Sequence, residues 1–235
     1  MSCFLSPACG CRLTWLRLSV LWLPGAAGSH GLKRLLATRG IEASICYKGK
    51  IDRYGTGRLC EILDIELLNV EDLTEVLTDE DEVILVDSQK GNSNIINITG
   101  DEIICIDHHP YNDKCQYRFQ DIRPEVGACA TMIAQYFMEN DIAMDKKIAT
   151  ALTYGIRIDT HNLSRGVSKL DIEMLYRMYD DCDYEEILIK HQGSDPRYFA
   201  DGARFELAER QNDVRRLSKP LQSTGLCQPS TSRPG

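Results

Sequence analysis

The chain has 235 residues, 43% of them hydrophobic and 26% charged, with a formal net charge of −8. That length holds one or two domains, and the balance is ordinary globular composition, which excludes a wholly disordered, collagen-like or multi-span membrane protein. All 35 acidic residues lie within 29–216 against 23 basic ones, so this stretch carries −12 between two basic ends; that excludes a non-specific nucleic-acid coat, which needs Lys and Arg, and leaves open phosphate-ester chemistry through bound cations.

Residues 1–27 stand apart. They hold both tryptophans and three cysteines (Cys3, Cys9, Cys11), with Arg12 and Arg17 as their charges. The two arginines, the apolar run LSVLWL (18–23) and the small residues 25–29 resemble a secretory signal. The run falls short of the roughly 7–15 residues of such signals and of the ~20 needed to span a membrane. Cys9-x-Cys11 lacks the second ligand pair of a zinc site. Ten cysteines in this length do not make a small disulfide scaffold, and the others read as reduced core residues.

From Ser29 the chain alternates helix and strand patterns. Ser29 is a predicted helix cap, with Leu32, Leu35 and Leu36 on the apolar stripe and Gly40 at the C′ position. IEASICY (41–47) reads as a strand, Leu59, Ile62 and Leu63 as part of a short helix, and VEDLTEVL (70–77) as another helix. EVILVD (82–87) and EIICIDHH (102–109) are short, uniformly apolar runs that end in acid or imidazole, the pattern of parallel strands covered on both faces. Helical spacing follows over 127–140, just after Pro124, then over 145–159 and 168–181; the tail after Leu217 has a disordered composition. The expectation is an α/β fold, a mainly parallel sheet flanked by helices. Sites in such sheets form at the carboxyl ends of strands, where Asp87 and Asp107 fall.

Three clusters carry chemistry: Val86-Asp87-Ser88-Gln89, Asp107-His108-His109-Pro110, and Gly155-Ile156-Arg157-Ile158-Asp159-Thr160. Carboxylates with neutral imidazoles suit Mn²⁺, Co²⁺ or Fe²⁺, and carboxylates also suit Mg²⁺. A strand-end Asp serves equally as a turn former or cap; two histidines after an apolar strand and an Asp are harder to dismiss. Ser88, Gln89 and Asn92 either line the site or form a plain turn. Arg123 meets a phosphate or a surface acid. Arg165 is a second candidate phosphate contact. Thr160 is placed to orient the Asp159 carboxylate, and His161, His30 and His191 read as surface residues.

The string IDHHP, with VDSQ before it and RPEVGACATMIAQYF (123–137) and ATALTYGIRIDT (149–160) after it, resembles the DHH phosphoesterases. The pattern is most similar to their nanoRNase/pAp-phosphatase branch, over about residues 28–200. The resemblance implies a DHH phosphoesterase domain over 28–208, between an atypical segment 1–27 and a disordered tail 209–235. It implies Mn²⁺-type ions, with Mg²⁺ or Co²⁺ as alternatives, that activate water against short oligoribonucleotides or 3′-phosphoadenosine 5′-phosphate. Asp87 resembles the carboxylate that bridges two ions in the family. His108 and Asp159 look like ligands of one of them. Asp107 is similar to the acid that supports the histidine pair, and His109 to the residue that faces substrate phosphate. A cytoplasmic protein without a membrane partner is expected, and a homodimer is left open.

The sequence also departs from the family. Gly28-Ser29 matches the end of the first family motif, but its histidine position holds Ser19 and its two aspartate positions hold Leu23 and Gly25. That leaves one ion, or none, in this chain. Nothing glycine-rich follows Ala208 to resemble the family's substrate domain. Two readings result: a metal-dependent phosphoesterase domain, and a degenerate module that binds nucleotide or a protein partner without turnover. Residues 1–27 also read as the product of another reading frame or start site.

Overall fold

A computed structural model of the chain describes residues 18–21, 25–47, 51, 54–73, 77–91, 99–112 and 116–183. All of them lie in the first of two units, Met1–His191; the second, Gln192–Gly235, and with it the predicted tail, falls outside the described residues. The strands are β1 (Leu18–Leu21), β2 (Ile45–Tyr47), β3 (Leu68–Asn69), β4 (Glu82–Val86), β5 (Asp101–Asp107) and β6 (Phe119–Ile122). The helices are α1 (Ala26–Ala37), α2 (Tyr54–Leu63), α3 (Cys129–Glu139), α4 (Lys146–Asp159) and α5 (Lys169–Met178).

Every strand pair is parallel, in the order β3-β2-β1-β4-β5-β6. The expected α/β fold is therefore the observed one. Leu18–Leu21 of the apolar run form β1, the strand from which the chain winds first toward β3 and then toward β6. Such a reversal opens a crevice at the carboxyl ends of the two strands that flank it. Those strands are β1 and β4, where Leu21 lies opposite Val86. The next residue is Asp87.

Side-chain alternation sorts β4 and β5 between two faces. Ile84, Val86, Ile104 and Ile106 join Leu32, Leu35, Leu36, Ile133, Phe137, Leu152 and Met178 in the main core. Ile45 packs in a second cluster with Leu59, Leu63, Ala151 and Tyr154 on the same side. Cys46, Val83, Leu85 and Cys105 are buried on the opposite face, where the partly buried Leu68, Leu77 and Ile122 pack against them. Close helix contacts need small residues: a Cβ on Gly155 would lie 2.9 Å from those of Ala27 and Ala130.

Several expectations shift. Ser29 does not cap α1; the helix begins at Ala26 with Gly25 as its N-cap, and Ser29 is buried in the first turns. Gly40 does end the helix, with φ +73°. Its N–H bonds Ala37 O and that of Ile41 bonds Leu36 O, both at 3.1 Å, the pair of a Schellman close. The strand expected over 41–47 is confined to Ile45–Tyr47. In the described part of 70–77 there is only a 3₁₀ turn, Val70–Asp72, because the Asn69 side chain accepts the Glu71 N–H and caps a single turn. β3 and β6 were not expected. Asp145 caps α4 by accepting the Ile148 N–H, and Ser168 with Asp171 forms a capping box on α5. Among the described residues no helix is long and apolar enough to cross a membrane.

Candidate metal centre

Asp87 follows the last residue of β4 and bends the chain with φ +64°. A non-glycine residue there is uncommon and marks a position held by its surroundings. Its side chain is 1% exposed, and neither carboxylate oxygen has a hydrogen-bond partner. His108 Nε2 lies 3.1 Å from Asp87 Oδ1, close enough for an ion pair but without the alignment of a hydrogen bond.

Asp107 closes β5 and is wholly buried. Its Oδ1 accepts the His108 backbone N–H and the His109 Nδ1–H, both at 2.8 Å. Its Oδ2 accepts Gln89 Nε2 at 2.7 Å. Gln89 is itself locked, donating to Pro110 O at 3.0 Å and accepting the Asn112 N–H at 2.8 Å. Burial alone raises the Asp107 pKa; the hydrogen bonds from His109 and Gln89 outweigh it and hold the carboxyl below its ordinary value. This aspartate is an anion that fixes the histidine pair.

The two imidazoles are held differently. His108 Nδ1 meets Val126 O at 3.2 Å. A carbonyl only accepts, so Nδ1 carries the proton and Nε2 turns toward Asp87. Burial lowers the His108 pKa, but Asp87 first and then Asp159 drive it well above the ordinary imidazole value. His109 is the exposed member, with 46% of its side chain accessible. Its bond to Asp107 raises its pKa and leaves Nε2 for whatever approaches from solvent. The rings meet edge-on, centroids 4.6 Å apart.

A neutral His108 would set a lone pair against the Asp87 carboxylate at 3.1 Å. Either a proton or a cation must lie between them. Among the described residues two donor sets gather within 4.8 Å: Asp87 with His108 and His109, and Asp87 with Asp107 and Cys129. A buried carboxylate with no hydrogen bond, beside an imidazole nitrogen, fits a divalent cation.

The other predicted residues divide. Asp159 ends α4 and acts on His108 through its charge, but lies outside both tight donor sets. Arg165 is exposed on the loop after α4. Arg123 turns to the protein: Nε and Nη2 bind Asp121 at 2.7 and 2.6 Å and Nη1 binds Gln135 at 2.6 Å. Thr160 spends its hydroxyl on Ile156 O at 2.7 Å rather than on Asp159. His161 is exposed, as expected, whereas His30 is half-buried and burial lowers its pKa. Leu23, Asn92 and His191 lie outside the described residues.

Sequence reasoning missed Cys129. It opens α3 with its thiol buried against the carboxylates, and burial, reinforced by Asp87, Asp107 and Asp159, holds that thiol well above its ordinary pKa. It also missed Asp171, a wholly buried carboxylate on α5.

Known proteins resemble this chain. An uncharacterized protein of Methanocaldococcus jannaschii is 38% identical over 147 residues, which make up 63% of this chain and 30% of that protein. A crystal structure from Methanococcus jannaschii, provisionally assigned as a family II inorganic pyrophosphatase, aligns with TM-score 0.51 and 18% identity over 75% of this chain and 61% of that one. The chain thus spans under a third of the curated relative and under two thirds of the solved one, and at this identity the second likeness is one of fold. Residues 25–156, more than half of the chain, match the N-terminal domain of the DHH family. The chain belongs to the DHH family.

Proposed function

We propose that this chain is the metal-binding domain of a phosphoesterase that hydrolyses short oligoribonucleotides or 3′-phosphoadenosine 5′-phosphate with metal-activated water, as in the nanoRNase/pAp-phosphatase branch. One observation carries the reading: the buried Asp87 carboxylate, without a hydrogen bond, facing His108 Nε2 at 3.1 Å beside the sheet's switch point. Family membership supports it. In this reading Asp87, His108 and Asp159 hold an ion of the Mn²⁺ type, within a domain over 28–208. A divalent ion supplies a low-pKa water and offsets phosphoryl charge.

The chain's own residues do the rest. Asp107 and Gln89 lock the turn that carries both histidines. Val126 O fixes the His108 tautomer. His109, anchored through Nδ1, keeps Nε2 outward and favours its charged form, which meets a phosphate oxygen or gives a proton to the departing one. Arg165 stands exposed on the neighbouring loop as a second cation for phosphate. The described cysteines are free, which fits a cytoplasmic setting.

A non-catalytic module is the second reading, favoured by Gly25 as the N-cap of α1 and Ser19 paired within β1, where the resembled motif carries acid and imidazole. One experiment separates them. The full chain is titrated with Mn²⁺ by calorimetry and given a dinucleotide, 3′-phosphoadenosine 5′-phosphate and pyrophosphate. The enzyme reading expects Mn²⁺-dependent release of nucleotide or phosphate that Asp87→Ala abolishes. Mn²⁺ binding without turnover selects the module, and no Mn²⁺ binding defeats the metal-centre reading.

A further inference from the structure

Asp171 is 0% exposed, and donors surround it on both oxygens. Oδ2 accepts the Gly127 N–H at 3.0 Å, and the Ser168 N–H and hydroxyl at 2.6 Å each. Oδ1 accepts the Thr131 hydroxyl. The capping box explains the Ser168 bonds. It does not explain the reach across to Gly127 and Thr131, on the loop and helix that border the histidine pair.

Gly127 N–H and Val126 C=O are the two ends of one peptide group. Asp171 grips the first; the second accepts His108 Nδ1–H at 3.2 Å. The line runs Asp171 carboxylate, peptide 126–127, His108 ring, Asp87 carboxylate. An anion at the N–H end of a peptide polarises it and makes its carbonyl a stronger acceptor. The same spot forbids a side chain: a Cβ on Gly127 would lie 2.7 Å from Asp171 Oδ2, 2.7 Å from Thr160 Cγ2 and 2.9 Å from Gly166 O. The carboxylate thus comes closer to this peptide than any residue but glycine allows.

We propose that Asp171 is a positioning residue for His108, acting through the Val126–Gly127 peptide to hold the Nδ1–H tautomer and aim Nε2 at Asp87. Only the metal arm of its test rests on the reading of His108 as a ligand. The tautomer arm stands without it.

The test uses the full chain. Long-range ¹H–¹⁵N spectra of the His108 ring in chelator, recorded above its raised pKa of about 9 so that the ring is neutral, report the tautomer, and calorimetry reports Mn²⁺ affinity. Asp171→Asn is expected to lower the Nδ1–H population and to weaken Mn²⁺ by up to about 10-fold, no more than the lower end of the cost of losing a ligating histidine's own partner, because Val126 O stays in place. Ser168→Ala removes one competing donor from Oδ2 while keeping Asp171, so the Gly127 amide and His108 Nδ1–H resonances should both move downfield. A merely structural clamp, loosened at the start of α5, would let both move upfield. An unchanged His108 tautomer in Asp171→Asn overturns the proposal; where that variant does not fold, unchanged or upfield resonances in Ser168→Ala overturn it. A tautomer shift in a chain whose wild type binds no Mn²⁺ upholds the positioning role and sinks the ligand role.

Discussion

Asp107→Asn isolates the buried anion on which the histidine turn rests. The carboxylate accepts three bonds, from His108 N–H, His109 Nδ1–H and Gln89 Nε2, at 2.8, 2.8 and 2.7 Å. An amide keeps one acceptor and sets an NH₂ against a donor. With its oxygen toward the histidines, its nitrogen faces Gln89 Nε2. Gln89 cannot flip to answer without breaking its bonds to Pro110 O and Asn112 N–H. The change loses one charge-assisted bond outright and the charge assistance of two others, about 3 kcal/mol of stability. At an m-value of about 2 kcal/mol per M, the urea midpoint followed by circular dichroism should fall by roughly 1.5 M. The pH profile adds a sign. The Asp107 carboxyl is held below its ordinary value in the folded chain, so its stabilisation is fully present above the unfolded carboxyl pKa and is lost as pH falls through the folded one. The gap between wild type and Asp107→Asn should therefore close on acidification from neutral. A urea midpoint within ~0.3 M of wild type at neutral pH, or a gap that widens in acid, refutes the account.

In chelator, the His108–Asp87 pair raises the imidazole pKa, so its contribution is present below the ordinary imidazole value and lost as pH rises through the raised one. Asp87→Asn should flatten that loss in thermal melts, and Mn²⁺ should reverse its sign in the wild type, because ligation needs neutral imidazole; matching pH slopes for the two proteins in chelator would disprove the pairing. Phe137 is among the largest fully buried side chains, and Phe137→Ala should cost about 3–5 kcal/mol, read from chemical denaturation, with a loss under ~1 kcal/mol counting against its place in the core. Site-resolved alkylation should label half-exposed Cys182 at least ~100-fold faster than Cys129, whose thiol is buried and held protonated; comparable rates would remove Cys129 from the interior of the site.

What could be seen in the sequence was local. The apolar runs that end at Asp87 and at Asp107-His108-His109 are short and uniform, and the acid that closes each run is the residue placed at the sheet edge. β3 has two residues, too few to show a period, and β6 mixes Phe119 and Ile122 with Gln120 and Asp121. Ser29 looked like a cap because the stripe of leucines begins just after it. The helix starts earlier because Gly28 sits against Val86 and the start of α3, where its Cβ would lie 3.5 Å from Val86 Cγ1, a tertiary contact that local propensity does not encode. Asp171 illustrates the same limit. Its Ser-x-x-Asp spacing is a visible capping pattern, whereas its bonds to Gly127 and Thr131 span 44 and 40 residues. Cys129 carries no local signal, since its meaning comes from the carboxylates that other elements bring to it.

Two costs fall on Asp87 at once. A side-chain-bearing residue in the left-handed region costs of order 1–3 kcal/mol, and a buried carboxylate without hydrogen bonds is expensive in any protein interior. Glycine would relieve the first and a small apolar residue the second, so neither feature serves the fold. The elements beneath can bear them: Val86 and Ile106 are fully buried in the main core, and the Asp87 N–H still bonds Ile106 O at 2.9 Å, continuing the β4–β5 ladder into the bend. The backbone is thus held while the side chain is left with imidazole contacts and no hydrogen bond. That combination makes sense for a residue whose partner is a bound cation, and it predicts that above pH about 9, where the His108–Asp87 pair no longer contributes, substitutions at Asp87 will trade stability and metal affinity in opposite directions.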